Sequence, residues 1–244
     1  MLGKIIFAVF SFLMASSTSA EEMSLRIGVL GNSVPMSYQN AKGELTGFSI
    51  GIVRALCEDM GVTCNLKVIA LDKAVESLVT EEFDVVAIGL LDTPERRSRI
   101  LLTKPFFRSA SIWFTKHRKF PGTPGIKVAA VAGSVQSAFL QNKGWKMVPM
   151  QSNDQIGQML MSDQADAGLV PMPTAIALMQ NASFSSLNLQ YQIMDEPGLG
   201  GDVCFGVTPK KPELKKKLDA ALDRIKRNGR YDKINSEFLP FRVN

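Results

Sequence analysis

Residues 83–115 read FDVVAIGLLDTPERRSRILLTKPFFRSASIWFT. Residues 85–88 are a short unbroken apolar run, too short for a helix, and predict a strand buried on both faces, as in a parallel sheet. The turn residues Thr93-Pro94-Glu95 then stop the pattern and deliver Arg96 just beyond the sheet edge. A second strand is predicted at 111–115, a short run rich in aromatic and β-branched residues. Working outward, strand-like runs recur at 25–30, 66–70, 127–131, 147–150, 167–170, 189–194 and 203–207. Helical patterns fall between many of them, at 47–60, 73–80, 135–141, 154–162 and 174–180, and a long one at 213–227 is introduced by Pro212. This alternation of strand and helix predicts an α/β architecture with mainly parallel sheets.

Composition narrows the class. The chain has 244 residues and 45% apolar content, which excludes general disorder and is ample for a core without metals or dense disulfides. Lys and Arg number 28 against 23 Asp and Glu, a net charge of +5, and outside the C-terminal region the basic residues are scattered, so no nucleic-acid partner is expected. Residues 1–20 read as a signal peptide: Lys4 precedes an apolar stretch at 5–15, and Ser16 to Ala20 supply the small residues of a cleavage site. The alternative is an N-terminal anchor that stays in place. Residue 21 is Glu rather than Cys, so no lipid-bearing cysteine follows the cleavage site, and a soluble, exported protein without a lipid anchor is expected.

Export gives the cysteines an oxidising context. On one continuous helix Cys57 and Cys64 would lie about 10.5 Å apart along the axis, beyond disulfide reach. Gly61 is placed to end that helix and let the chain turn back, so a Cys57–Cys64 disulfide is expected, with two buried thiols as the alternative. Cys204 sits in an apolar run and reads as buried and inert. With a single His, His117, in the chain, no Cys/His metal site is expected, and no cofactor is called for.

The stretch from His117 to Gly125, with Pro121-Gly122-Thr123-Pro124-Gly125, and the loop at 195–201 interrupt the pattern. They bracket a middle segment large enough to form its own lobe. The expectation is a two-lobed fold with the second lobe (114–202) inserted into the first (21–113 and 203–244). Two crossing strands near 112–116 and 203–207 would join the lobes and leave a hinged ligand cleft between them.

Several segments in order carry a resemblance. Gly43-Glu44-Leu45-Thr46-Gly47-Phe48, Phe83-Asp84-Val85-Val86, Thr93-Pro94-Glu95-Arg96, Lys104-Pro105-Phe106-Phe107, Gly133-Ser134, Asp166-Ala167 and Asn228-Gly229-Arg230-Tyr231-Asp232-Lys233-Ile234 follow one another as in family 3 periplasmic solute-binding proteins. The chain resembles that family over essentially all its length beyond the leader. The resemblance implies a periplasmic-binding-protein fold, a periplasmic location, capture of a polar amino acid or related compound, and delivery to an ABC permease at the inner membrane. The cysteine pair is similar to the disulfide of some histidine-type and basic-amino-acid members. A monomer is expected.

In the family, the Arg of the Thr93-Pro94-Glu95-Arg96 motif grips the α-carboxylate of the ligand. The planar, permanently charged fork of Arg96 suits that task on physical grounds too. The other reading is a surface Arg beside Arg97 and Arg99. Ser134, before a helix, can add its hydroxyl and neighbouring N–H groups, or serve only as a helix cap. Departures fall on the other half of the site. Leu91 stands where a hydroxyl side chain is common two residues before Thr93. Pro171 stands where an Asp usually holds the ammonium. Ser33 or Val34 replaces a stacking aromatic, with Tyr38 near in sequence. A backbone carbonyl such as that of Gly89 is then the remaining acceptor for an ammonium. The expected ligand-contacting set is Arg96, Ser134, Gly89, Leu91, Thr93, Pro171 and Ser33, and the expected ligand is a small carboxylate-bearing solute. Two alternatives stand beside transport: an accessory or sensor protein with an altered cleft, and an enzyme similar to cyclohexadienyl dehydratases. Against the latter, no titratable group is placed in the segment Pro171-Met172-Pro173-Thr174.

Overall fold

The structure is a computed structural model and describes residues 24–116 and 118–242. The leader expected at 1–20, and His117 at the start of the Pro/Gly-rich seam, lie outside the described residues. Two sheets organise the chain into two lobes. The first runs β5 (Thr63–Val68), β1 (Ser24–Val29), β6 (Val85–Leu91), β14 (Gly201–Val207), β7 (Leu101–Leu102), with β8 (Phe107–Ser109) also paired to β14. The second runs β11 (Lys146–Met150), β10 (Lys127–Val131), β12 (Ala167–Pro171), β9 (Ser111–Thr115), β13 (Gln190–Met194). A small antiparallel sheet of β2 (Asn32–Ser33), β3 (Ser37–Gln39) and β4 (Leu45–Thr46) sits before the first long helix.

The sheets are mixed where mainly parallel ones were expected. β5, β1 and β6 are mutually parallel, as are β11, β10 and β12, because helical crossovers return the chain to the same end each time. β14 runs antiparallel to β6, and β9 antiparallel to β12. Both enter directly from the other lobe, at the end where the parallel strands stop, and so run the opposite way.

The crossings also lie a few residues from where the sequence puts them. All five residues of β9 pair in the second sheet, so the expected boundary between 113 and 114 falls inside a strand. The chain leaves the first sheet after Ser109 and rejoins it at Gly201, which pairs with Ser109. A β-rich run such as 109–115 gives no local sign of which sheet each part joins.

Helices cover both faces of each sheet. α1 (Phe48–Met60), α8 (Pro212–Arg227) and α9 (Arg230–Phe238) share one core with the Val203, Phe205 and Val207 face of β14, while Cys204, on the other face, packs with Ala74 and Leu78 of α2 (Ala74–Val79). In the second lobe α5 (Ile156–Met161), α6 (Met172–Gln180) and α7 (Ala182–Ser185) lie on one face, and Leu140 of α4 (Val135–Asn142) on the other. Burying each large apolar side chain contributes about 1.5–3 kcal/mol relative to leaving it exposed. An aromatic cluster of Phe48, Phe106, Phe205 and Tyr231 ties α1 and α9 to the sheet, with Phe106 and Phe205 centroids 4.3 Å apart. The Tyr231 hydroxyl donates to the Phe106 carbonyl.

Gly61 ends α1 in the left-handed conformation (φ 63°), its N–H bonding the Cys57 and Glu58 carbonyls. The chain reverses there as expected, and Cys57 and Cys64 are disulfide-bonded with their Cα atoms 6.2 Å apart. Cys204 is free and buried.

Candidate functional site

Central strands of both sheets end at one cavity of about 90 Å³ between the lobes, where the ends of β6 (Gly89, Leu91), β10 (Val131) and β12 (Pro171) meet. The C-terminal edge of parallel strands is where α/β folds hold ligands. The lining is mostly apolar, with Leu30, Met36, Leu71, Ile88, Phe107 and Leu169 among the contributors. Arg96 is the only charged residue among the described lining residues. A second cavity of about 420 Å³ adjoins it, shares Arg96 and Ser134, and carries Asp72, Glu95 and Arg99.

Arg96 sits on α3 (Pro94–Arg97), a single turn whose N-cap is Thr93 and whose first position is Pro94. The Thr93 hydroxyl accepts from the Arg96 N–H at 3.3 Å, and Arg96 Nη1 donates to the Leu91 carbonyl at 2.8 Å. The two neighbouring arginines are engaged elsewhere: Arg97 pairs with Asp92, and Arg99 with Glu76 at 2.6 Å. Among the described residues no carboxylate lies within 4.0 Å of the Arg96 guanidinium. Burial pushes its pKa below the usual guanidinium value, with nearby Glu95 acting in the opposite sense. A buried cation without a counter-ion is costly unless something else supplies the negative charge.

Ser134 caps α4, accepting from the Ser137 N–H at 3.0 Å, and its own O–H stays available to donate. Gln136 is buried and donates through Nε2 to Ser111 Oγ at 2.9 Å, and Ser111 in turn donates to the Leu199 carbonyl at 2.6 Å. Asn153 starts the 3-10 turn Asn153–Gln155, which Ser152 and Gln155 fix through a capping box. Its Oδ1 is buried with no hydrogen-bond partner, and the residue lines the cavity.

Six of the seven residues expected from the sequence, Arg96, Ser134, Gly89, Leu91, Pro171 and Ser33, line this cavity together. Thr93 does not; it caps α3 and faces the adjoining cavity. Leu91 contributes its carbonyl to hold Arg96 in place of a side-chain hydroxyl. Sequence reasoning missed Asn153, Gln136 and Thr174. The capping-box pattern Ser152-Asn153-Asp154-Gln155 was the one local signal, and it marks a helix start rather than a ligand contact.

Comparison with known proteins fits this geometry. Residues 25–241 match the family described as bacterial extracellular solute-binding proteins, family 3. ABC transporter arginine-binding protein 1 of Escherichia coli (strain K12) is 27% identical over 241 residues, covering 95% of this chain and 98% of that protein. An ancestral arginine-binding protein bound to arginine superposes with a TM-score of 0.78 at 24% identity, covering 88% of this chain and 98% of that one. A substrate-binding protein of an ABC uptake transporter from Streptococcus pneumoniae with bound histidine gives 0.81 at 21% identity, covering 90% and 94%. Among the described residues no helix is long and apolar enough to cross a membrane. The family match spans both lobes and every strand that ends at the cavity, and this chain belongs to the bacterial extracellular solute-binding proteins, family 3.

Proposed function

We propose that this protein captures a small carboxylate-bearing solute in the cavity between its lobes and delivers it to an inner-membrane ABC importer, acting by binding rather than catalysis. One observation carries the carboxylate: Arg96 is held by Leu91 with its guanidinium at the cavity and no carboxylate of the described chain beside it. A carboxylate accepts two parallel bonds from such a fork. Ser134 donates to the same group, and Gly89 and Ser33 supply the near walls. The lobes close over the ligand because it touches both sides, Arg96 from the first and Ser134 from the second.

A panel of small carboxylic acids, screened by thermal shift and then calorimetry, tests this reading. Arg96→Ala reduces affinity for every acid that binds by about 30-fold to several-thousand-fold, the scale for truncating one partner of a buried charge pair. An Arg96→Ala protein that binds as the wild type does overturns the carboxylate reading.

A further inference from the structure

We infer that the ligand is a hydroxy monocarboxylic acid without an ammonium group, its carboxylate on Arg96 and its hydroxyl donating to Asn153 Oδ1; this rests on the carboxylate reading above. Three features of the cavity point the same way. Its only charge among the described lining residues is positive and is spent on the ligand's carboxylate, so an ammonium group would find no acid within this cavity to receive it, Asp72 and Glu95 lining the adjoining one. The position where β12 ends is Pro171, which has neither a charge nor an N–H. Among the described residues, the one buried side-chain acceptor at the cavity that lacks a partner is Asn153 Oδ1, a neutral amide oxygen suited to a single hydroxyl donor.

The other polar groups are differently placed. Gln136 Nε2 is already committed to Ser111, and Ser134 Oγ already accepts from the Ser137 N–H while its own O–H serves the carboxylate. The cavity itself measures about 90 Å³ and continues into the adjoining one of about 420 Å³ that shares Arg96 and Ser134, so room alone does not fix the length of the ligand. The acids Asp72 and Glu95 line the adjoining cavity and not this one. A ligand that meets this cavity with one carboxylate and one hydroxyl satisfies these features together.

The probes are lactate and 2-hydroxybutyrate, against alanine (ammonium for hydroxyl), propionate (hydroxyl removed) and arginine, each titrated by calorimetry into the wild type, Asn153→Ala and Arg96→Ala. The expected result is that a hydroxy acid binds roughly a hundredfold or more tighter than alanine, the scale of an uncompensated buried charge. Asn153→Ala then weakens the hydroxy acid about five- to tenfold, the size of one neutral hydrogen bond, and leaves propionate unchanged. If alanine or arginine binds as well as lactate and the binding is lost in Arg96→Ala, the hydroxy-acid inference is wrong while the carboxylate reading stands. If Asn153→Ala weakens propionate as much as lactate, the role given to Asn153 is wrong. Absence of heat with both hydroxy acids also overturns the inference, and binding that survives Arg96→Ala overturns the carboxylate reading beneath it.

Discussion

Gly133 of the second lobe lies against the Asp72 backbone of the first so closely that a Cβ on residue 133 would sit 2.5 Å from the Asp72 Cα. No side chain fits there while the lobes are together, and Gly133 also holds φ +75°. Beside this contact, Leu71 packs against the cores of both lobes, and Val135 of α4 packs against the core of the first. The approach brings Ser134 and Arg96 to one cavity, so lobe contact and site assembly are a single event.

Gly133→Ala should therefore oppose closure more than folding. The left-handed conformation costs Ala about 1 kcal/mol in either arrangement, whereas the clash with Asp72 exists only when the lobes meet. Expected outcomes are a larger radius of gyration in small-angle scattering and affinity for any bound carboxylate lowered about tenfold or more, since the competent form is populated less. Wild-type scattering together with wild-type affinity would show that this contact does not govern closure.

Acid should find a weak point at Asp84. Burial alone would raise its pKa, but bonds from Arg26 (2.8 and 2.9 Å) and Lys211 (2.8 Å) outweigh that and hold it at about 2. Its side chain is only 2% exposed, but those of Arg26 and Lys211 are about half exposed, so solvent screens these bonds in part. A depressed pKa means stability that is present above the unfolded value near 4 and is lost as pH falls toward 2; with the screening at the exposed partners, it amounts to at most about 2 kcal/mol. Denaturant titrations at pH 7, 4 and 2 should show Asp84→Asn less stable at pH 7 and nearly matching the wild type at pH 2. A constant gap between them across that range would contradict the assignment.

The thiol chemistry divides sharply. The Cys57–Cys64 bridge closes a short loop between α1 and β5, and removing it is expected to cost about 2–3 kcal/mol by chain entropy. Cys204 is 1% exposed, and burial pushes its thiol pKa up to about 12, so the reactive thiolate is scarce at neutral pH. Alkylation of native, non-reduced protein should label nothing, denaturation should release one reactive thiol, and reduction should release two more. Rapid native labelling of Cys204 would contradict its placement in the core.

How much of this was legible depended on range. The helix at α1 and its stop at Gly61 were readable because 3.6-residue apolar spacing and a left-handed glycine act locally. The sequence pattern ends the β6 strand at Ile88, since Gly89 interrupts the apolar run; in the fold Gly89 takes φ +71° and the ladder continues to Leu91. The helix at α9 is rich in polar residues and gives little periodic signal of its own, because its burial comes from Tyr231 and Ile234 meeting α1 and α8. Arg96 could be singled out from its turn, yet its isolation from carboxylates follows from Asp92 and Glu76 turning Arg97 and Arg99 aside. Asn153 was out of reach, as it faces the cavity only through the placement of a 3-10 turn against the opposite lobe.

Pro171→Asp gives the most direct test of why the cavity lacks an acid. Pro171 ends β12 and is the N-cap of α6, with φ −63° and ψ 145°, an extended conformation in which Asp is a preferred cap. The present cap makes no side-chain hydrogen bond, so one Asp oxygen can accept from the Thr174 N–H at the third helical position and the other can face the cavity. The fold should therefore tolerate the change, with a melting temperature near or above that of the wild type. Binding should invert. A new carboxylate across the cavity from Arg96 competes with the ligand's own carboxylate and has no cation to meet in a hydroxy acid, so lactate-type ligands weaken. An α-amino acid supplies that cation through its ammonium, and alanine should gain affinity where the wild type has little. Calorimetry with lactate and alanine on both proteins reads the exchange, and a variant that is stable yet keeps the wild-type order of the two ligands would mean that residue 171 does not set the charge of the ligand.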